Sequence, residues 1–302
     1  MKRRDCFLGL ATVGLAGVFK DMASASQRDA GPRFLSIGRG NGSVFLLGFG
    51  EAKDDSWVTP QISQAFDKSS SLWLEVGHSD LSPGLETQNR IEELSHEKGR
   101  TFFDVLQPQV RERTLTYMSE LGIKRESVET LRPWRAYNLI VSAFYSSRRP
   151  SSIPVLPDEM FSKRAMATHK EVSYEMPTYL SFAEFMANMP DAAQSDYIAW
   201  LLDFLDDVKN GRVIDMDDAW IRGKFSAETR SLDRMRTRMP ALYKVMQVGR
   251  NAWWARKIDQ LLGMGDTHFI AVGNLHAMGP DGIPAQVRRL KIGHPVELSG
   301  DA

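Results

Sequence analysis

The run Phe269-Ile270-Ala271-Val272-Gly273-Asn274-Leu275-His276 constrains this chain's fold more than any other segment. Its short apolar stretch has the length and β-branched content of a buried strand. Glycine ends it, a histidine follows three residues later, and Gly279-Pro280-Asp281-Gly282 supplies a turn signal beyond. A related unit lies near the start, where Val44-Phe45-Leu46-Leu47-Gly48-Phe49-Gly50-Glu51 ends Gly-x-x-Glu instead of Gly-x-x-His. Neighbouring strands of one sheet would bring Glu51 and His276 together at its edge. That is the arrangement of a metal or acid/base site.

The first 25 residues carry the order of an export signal. Met1-Lys2-Arg3-Arg4 is basic, Cys6 to Phe19 is apolar except for Thr12, and Ala23-Ser24-Ala25 is a small-x-small cleavage site. The apolar run is too short to span a bilayer, so the mature protein is expected in the periplasm with no transmembrane span. Arg3-Arg4 followed by Phe7-Leu8 is similar to a twin-arginine signal, but Cys6 intervenes, and an ordinary Sec signal stays open. Residues 26–32 then form a spacer and 33–302 one domain, large enough for a full core.

Cys6, the only cysteine, falls inside the leader, so the mature chain has no disulfide, thiolate site or cysteine nucleophile. Any metal must be held by His, Asp and Glu. Thirty-eight basic residues balance 38 acidic ones, which gives no reason to expect nucleic acid as a partner. Nothing in the sequence specifies an oligomer.

Phe34–Gly38 and Ser43–Gly48 read as strands joined at Asn41-Gly42, a hairpin turn signal. Thr59-Pro60 starts a helix to about Lys68, and Leu72–Gly77 reads as a third strand that carries Glu75 near its end. Helical patterning fills Glu86 to about Ser147, and Pro150–Pro157 is a link. After a helix from Asp158, Lys170–Glu175 is a short strand that again ends in a carboxylate. Helices follow through Ser195–Val208, Ser226–Met239 and Ala241–Leu262, then the closing unit, a helix over Pro284–Leu290 and a strand near Pro295–Leu298. Strands at both chain ends around a helix-rich middle predict an α/β or α+β fold, a central mixed sheet flanked by helices.

Functional groups gather at strand ends in open sheets. The candidates there are Glu51, Glu75, Glu175 and His276, with Asp158 in a turn before a helix. Arg250-Asn251 lies in an otherwise apolar helical stretch, where the arginine can meet a substrate carboxylate or a developing oxyanion. One imidazole among oxygens suits manganese, magnesium or a similar divalent ion better than structural zinc; without metal, the same groups suit acid/base work. Each also has an ordinary reading. Glu75 and Glu175 can be water-facing edge charges, and Arg250 can pair along its own helix. His78, His96, His169, His268 and His294 read as surface or capping residues. Asp203, Asp206, Asp207, Asp215, Asp217 and Asp218 read as a solvated acidic face, and Trp253, Trp254 and the methionines from Met235 to Met246 as core packing.

Taken in order, these segments resemble the TraB/GumN family, which includes the Tiki membrane metalloproteases. The resemblance is carried by Ser43–Gly48, Pro60–Phe66, Leu72–Val76, Asp158–Met160, Val172–Glu175, Trp220–Gly223, Arg250–Trp253 and Val272–His276 with Gly279–Gly282. It implies a sheet-centred fold related to erythromycin-esterase-like and ChaN-like proteins. It also implies a divalent-metal hydrolase site, taking manganese, cobalt or zinc, that acts on a peptide or small-molecule substrate. Carried onto this chain, the family's site falls on Gly48, Glu75, Arg250, Gly273 and His276, then Asp158, Glu175 and Asn251. The chain departs from the pattern at Glu51, where the family has its first histidine. Glutamate there either keeps a metal site with altered preference or marks a non-catalytic binding or assembly-accessory protein.

Overall fold

A computed structural model describes residues 31–50, 52, 54–77, 83–148, 157–212 and 217–299. The expected leader, Glu51, His78, Asp215 and the link around residue 150 lie outside these residues. In chain order the strands are β1 (Phe34–Arg39), β2 (Gly42–Phe49), β3 (Ser71–Val76), β4 (Glu171–Met176), β5 (Thr267–Gly273) and β6 (His294–Glu297). The helices are α1 (Pro60–Lys68), α2 (Leu85–Ser95), α3 (Phe102–Val105), α4 (Pro108–Glu120), α5 (Pro133–Arg148), α6 (Pro157–Ala167) and α7 (Tyr179–Ala187). They continue with α8 (Asp191–Lys209), α9 (Asp217–Ile221), α10 (Ser226–Arg238), α11 (Pro240–Tyr243), α12 (Arg250–Met264) and α13 (Ile283–Arg289).

The strands form one mixed sheet in the order β4-β3-β5-β2-β1-β6. Its four strands from β4 to β2 run parallel, while β1 is antiparallel to both β2 and β6. The expected mixed sheet flanked by helices is therefore the fold. Alternation along β5 explains the two layers. Phe269 and Ala271 join Phe66 of α1 and Phe161 of α6 on one face, and Ile270 and Val272 join Trp254 and Ile258 of α12 on the other. A third apolar body, built around Trp134, Tyr137, Tyr197 and Leu201, packs the middle helices against one another.

Local chemistry accounts for most boundaries. Thr59 caps α1 through its hydroxyl, with Pro60 as the first helical residue. Gly265, at φ 84°, ends α12 in the left-handed conformation glycine tolerates best. Helix α8 begins at Asp191, a turn before the expected Ser195, because Pro190 sets its entry.

Two expectations are corrected. His268 is buried, because β5 is central and its register places Ser71 opposite; the Ser71 hydroxyl lies 2.8 Å from His268 Nδ1. The α8 aspartates do not form a solvated face. The helix packs against α4, α5 and α11, and Arg113, Arg212 and Arg234 engage Asp203, Asp206 and Asp207.

Candidate active site

Parallel strands deliver their carboxyl ends to one edge. β2 and β5 are hydrogen-bonded neighbours with Phe49 opposite Gly273, so the two Gly-x-x motifs begin side by side. Gly48 serves packing here: a Cβ would stand 2.7 Å from Asn274 Oδ1 and 3.0 Å from the Ala277 methyl. Beyond β5 a single 3₁₀ turn, Asn274–Ala277, carries His276 inward until it is fully buried.

Glu75 and Glu175 come from the adjacent strands β3 and β4. Neither is a water-facing edge charge: their side chains are 13% and 8% exposed. Arg250 at the start of α12 closes over both. Its Nη2 donates to Glu75 Oε2 at 2.6 Å and to Glu175 Oε2 at 2.5 Å, and its Nε donates to Glu175 Oε1 at 2.9 Å. The Trp254 indole N–H, one turn along α12, also donates to Glu175 Oε2, at 3.0 Å. Arg250 thus bridges two strand ends rather than pairing along its own helix. A π-helical stretch, Lys244–Gly249, leads directly into it and sets which way Arg250 and Asn251 face.

Burial alone would raise the Glu75 carboxyl. Arg250, His276 and the donated Gly273 backbone N–H outweigh it and hold Glu75 well below the usual carboxylate range. Burial likewise opposes the charge on Arg250, but Glu175 and Glu75 keep the guanidinium firmly protonated.

The hydrogen bonds of Asn251 make Nδ1 the nitrogen of His276 that donates to it. Asn251 Nδ2 donates to the Asp281 carbonyl at 2.8 Å and to Gln247 Oε1 at 3.2 Å. A carbonyl can only accept, so Oδ1 is the atom that faces His276 Nδ1, at 2.6 Å. Nδ1 therefore carries a proton. Nε2 has no hydrogen-bond partner and stands 3.4 Å from Glu75 Oε2. Behind this pair, the Tyr243 hydroxyl donates to Asp281 at 2.9 Å and steadies the loop that Asn251 holds.

Asp158 stands apart from this cluster. It opens α6, where its carboxylate accepts from the Glu159 backbone N–H, and it is not among the carboxylates that hold Arg250. The structure therefore brings together Glu75, Glu175, Arg250, Asn251, Gly273 and His276. It adds Gln247 and Asp281, which the sequence reading did not single out, and Trp254, which it read as core packing. A small cavity of about 30 Å³ adjoins this cluster, lined elsewhere by apolar groups that include Met176, Phe182, Phe185, Leu242 and Met246.

A model of the TraB/PrgY/gumN family matches residues 42–292. The chain belongs to this family. No curated protein and no solved structure matches it. The matched stretch runs from the first residue of β2 to just beyond α13, so it contains every strand end that builds the site.

The family resemblance implies a divalent metal, and the donor chemistry fits one in part. Two donors bonded at 2.0–2.2 Å to one tetrahedral ion lie roughly 3.4 Å apart. His276 Nε2, which has no hydrogen-bond partner, and Glu75 Oε2 show this separation. Among the described residues no third His, Asp or Glu completes a cage with them. The third donor expected from the sequence, Glu51, lies outside those residues. No helix among the described residues is long and apolar enough to cross a membrane.

Proposed function

We propose that this protein is an exported, periplasmic metal-dependent hydrolase acting on peptides or other small acyl substrates. The observation that carries the reading is the fully buried Nε2 of His276, without a hydrogen-bond partner and 3.4 Å from Glu75 Oε2, beside a small apolar cavity. His276, Glu75 and Glu51 would hold the ion, which supplies Lewis acidity to water and to a scissile carbonyl. Asn251 fixes the imidazole so that Nε2 stays turned to Glu75. Glu75 or Glu51 serves as general base. Arg250 spends Nε and Nη2 on the two carboxylates; Nη1 makes no described hydrogen bond and is the edge left for negative charge on a substrate oxygen.

One observation favours a second reading, a periplasmic binding or assembly-accessory protein without turnover. Both oxygens of Glu75 already accept hydrogen bonds, Oε1 from Gly273 and Oε2 from Arg250. A closed network of this kind suits a structural clamp as well as a reactive site.

Mass-spectrometric scoring of a mixed peptide pool separates the two readings. The hydrolase predicts cleavage by the parent in the presence of manganese, cobalt or zinc. Cleavage falls by about 10²–10⁴-fold in folded Glu75→Gln and His276→Ala variants. A folded, metal-loaded parent that cleaves nothing favours the second reading.

A further inference from the structure

One buried carboxyl is left unused by the proposed chemistry. Glu228, in the first turn of α10, is 1% exposed, and Asn274, which opens the 3₁₀ turn to His276, is 2% exposed. Helix α10 packs on that turn and brings the two side chains together. Asn274 lies close enough to favour charge on Glu228. Yet Glu228 Oε2 and both polar atoms of the Asn274 amide, Oδ1 and Nδ2, are buried without a hydrogen bond of ordinary geometry. Gly48 hems the amide in from β2, since a Cβ there would stand 2.7 Å from Asn274 Oδ1.

Three orphaned polar atoms in one dry place destabilise the fold unless they satisfy one another. An ionised carboxylate only accepts, so it can take a hydrogen from Nδ2 but leaves Oδ1 facing a second acceptor. A neutral carboxyl is complementary to the amide. Its O–H donates to Oδ1 while its other oxygen accepts from Nδ2, and a two-bond ring closes. Burial pushes Glu228 up to about 7, which brings the neutral form within ordinary working pH. The neighbours offer little competing charge. Helix α11 presents Tyr243, whose hydroxyl is given to Asp281, and the turn presents His276, held between Asn251 and Glu75. On α10 itself, Arg230 is exposed and opposes the rise least, while Arg234 and Arg236 engage Asp207 and Asp233. Asn274 and His276 belong to one short turn, so what fixes the first helps to fix the second.

We propose that Glu228 is a positioning residue: as a neutral carboxyl it clasps the Asn274 amide and sets the turn that presents His276, and on losing its proton to water it lets that turn go. The consequence for turnover rests on the hydrolase reading; the clasp and its effect on His276 do not.

The test is proton NMR of the full mature chain, following the Nδ1–H of His276, which is assigned by its loss in His276→Ala and reports the bond to Asn251. In the parent this signal should lose most of its intensity between about pH 6 and 8, one unit either side of the Glu228 midpoint near 7. Glu228→Gln puts an amide in place of the neutral carboxyl, with the same donor and acceptor, and should hold the signal across the whole range. Asn274→Ala removes the partner and should show the weakened signal at every pH, with a thermal melt checking that the variant is folded. If it does not fold, the parent against Glu228→Gln decides alone. A His276 signal indifferent to pH in the parent makes Glu228 a merely structural carboxyl and overturns the proposal. So does a signal that weakens alike in parent and Glu228→Gln, which assigns the change to His276 itself. Weakening that Glu228→Gln abolishes, in a protein that takes no metal and cleaves no peptide, sustains the clasp and removes the hydrolase. Cleavage by a parent whose His276 signal ignores pH does the reverse.

Discussion

Two of the clusters of arginine and carboxylate side chains among the described residues differ in almost everything but composition. At the sheet edge, Arg250 is 5% exposed and lies between Glu75 and Glu175. On the flank of α8, Arg113 is 39% exposed and spans Asp203 and Asp206 at 2.9 and 2.8 Å, with Arg234 and Arg212 on Asp207. The contact distances are alike. What differs is the surrounding dielectric and what each charge would do if its partner left. Water can take over for Arg113, whereas the carboxylates beneath Arg250 have no such substitute. The site's charges are thus held in place by burial and by one another.

The largest expected effect sits on the buried cluster. Arg250→Met strands two carboxylates in the interior and should lower the unfolding free energy by about 3–5 kcal/mol in a urea melt. A loss under about 1 kcal/mol would erase the distinction between the clusters.

Glu228 sharpens the comparison, because it is a buried carboxyl with no guanidinium closed upon it. Burial pushes it up to about 7, with Asn274, its own backbone amide and distant Arg230 only partly opposing that rise. Its folded pKa is raised, so between about pH 4.5 and 7 the folded state keeps a proton the unfolded state has lost. Stability should therefore fall as pH rises through that window and level off above it. Glu228→Gln should remove about 3 kcal/mol of this decline between pH 5 and pH 8. Parallel pH profiles for parent and variant, measured by denaturant melts, would show that the carboxyl is hydrated after all.

The smallest effect belongs to the exposed cluster. Arg113→Ala should cost at most about 1 kcal/mol, and less in high salt, which a melt at two ionic strengths reads directly.

Much of the fold was legible because burial writes itself into apolar runs. β2, β3 and β5 are continuous hydrophobic stretches, and the Gly-x-x spacing at two of them marked where chemistry would sit. Glu75 stood out as a carboxylate inside such a run. Glu175 was a candidate too, but its pairing with Arg250 did not stand out, since the two are 75 positions apart and the β3–β4 pairing brings Glu175 beside Glu75. Tyr197, Trp200 and Met246, which line the small cavity, were read into the core or not singled out, because a cavity wall and a core share the same apolar composition. His268 carried no mark of burial, because the serine that meets it comes from another strand. Glu228, within Ser226-Ala227-Glu228-Thr229-Arg230, has the sequence signature of an ordinary first-turn acid, and its burial arises only when α10 packs on the Asn274 turn.

Metal stoichiometry tests the central claim most directly. The mature protein is purified without chelator, offered manganese, cobalt and zinc in turn, and analysed beside a folded His276→Ala variant. The account predicts about one equivalent of a divalent ion in the parent, as in a mononuclear site, and its loss in the variant. No bound metal in the parent under any of these conditions would contradict it.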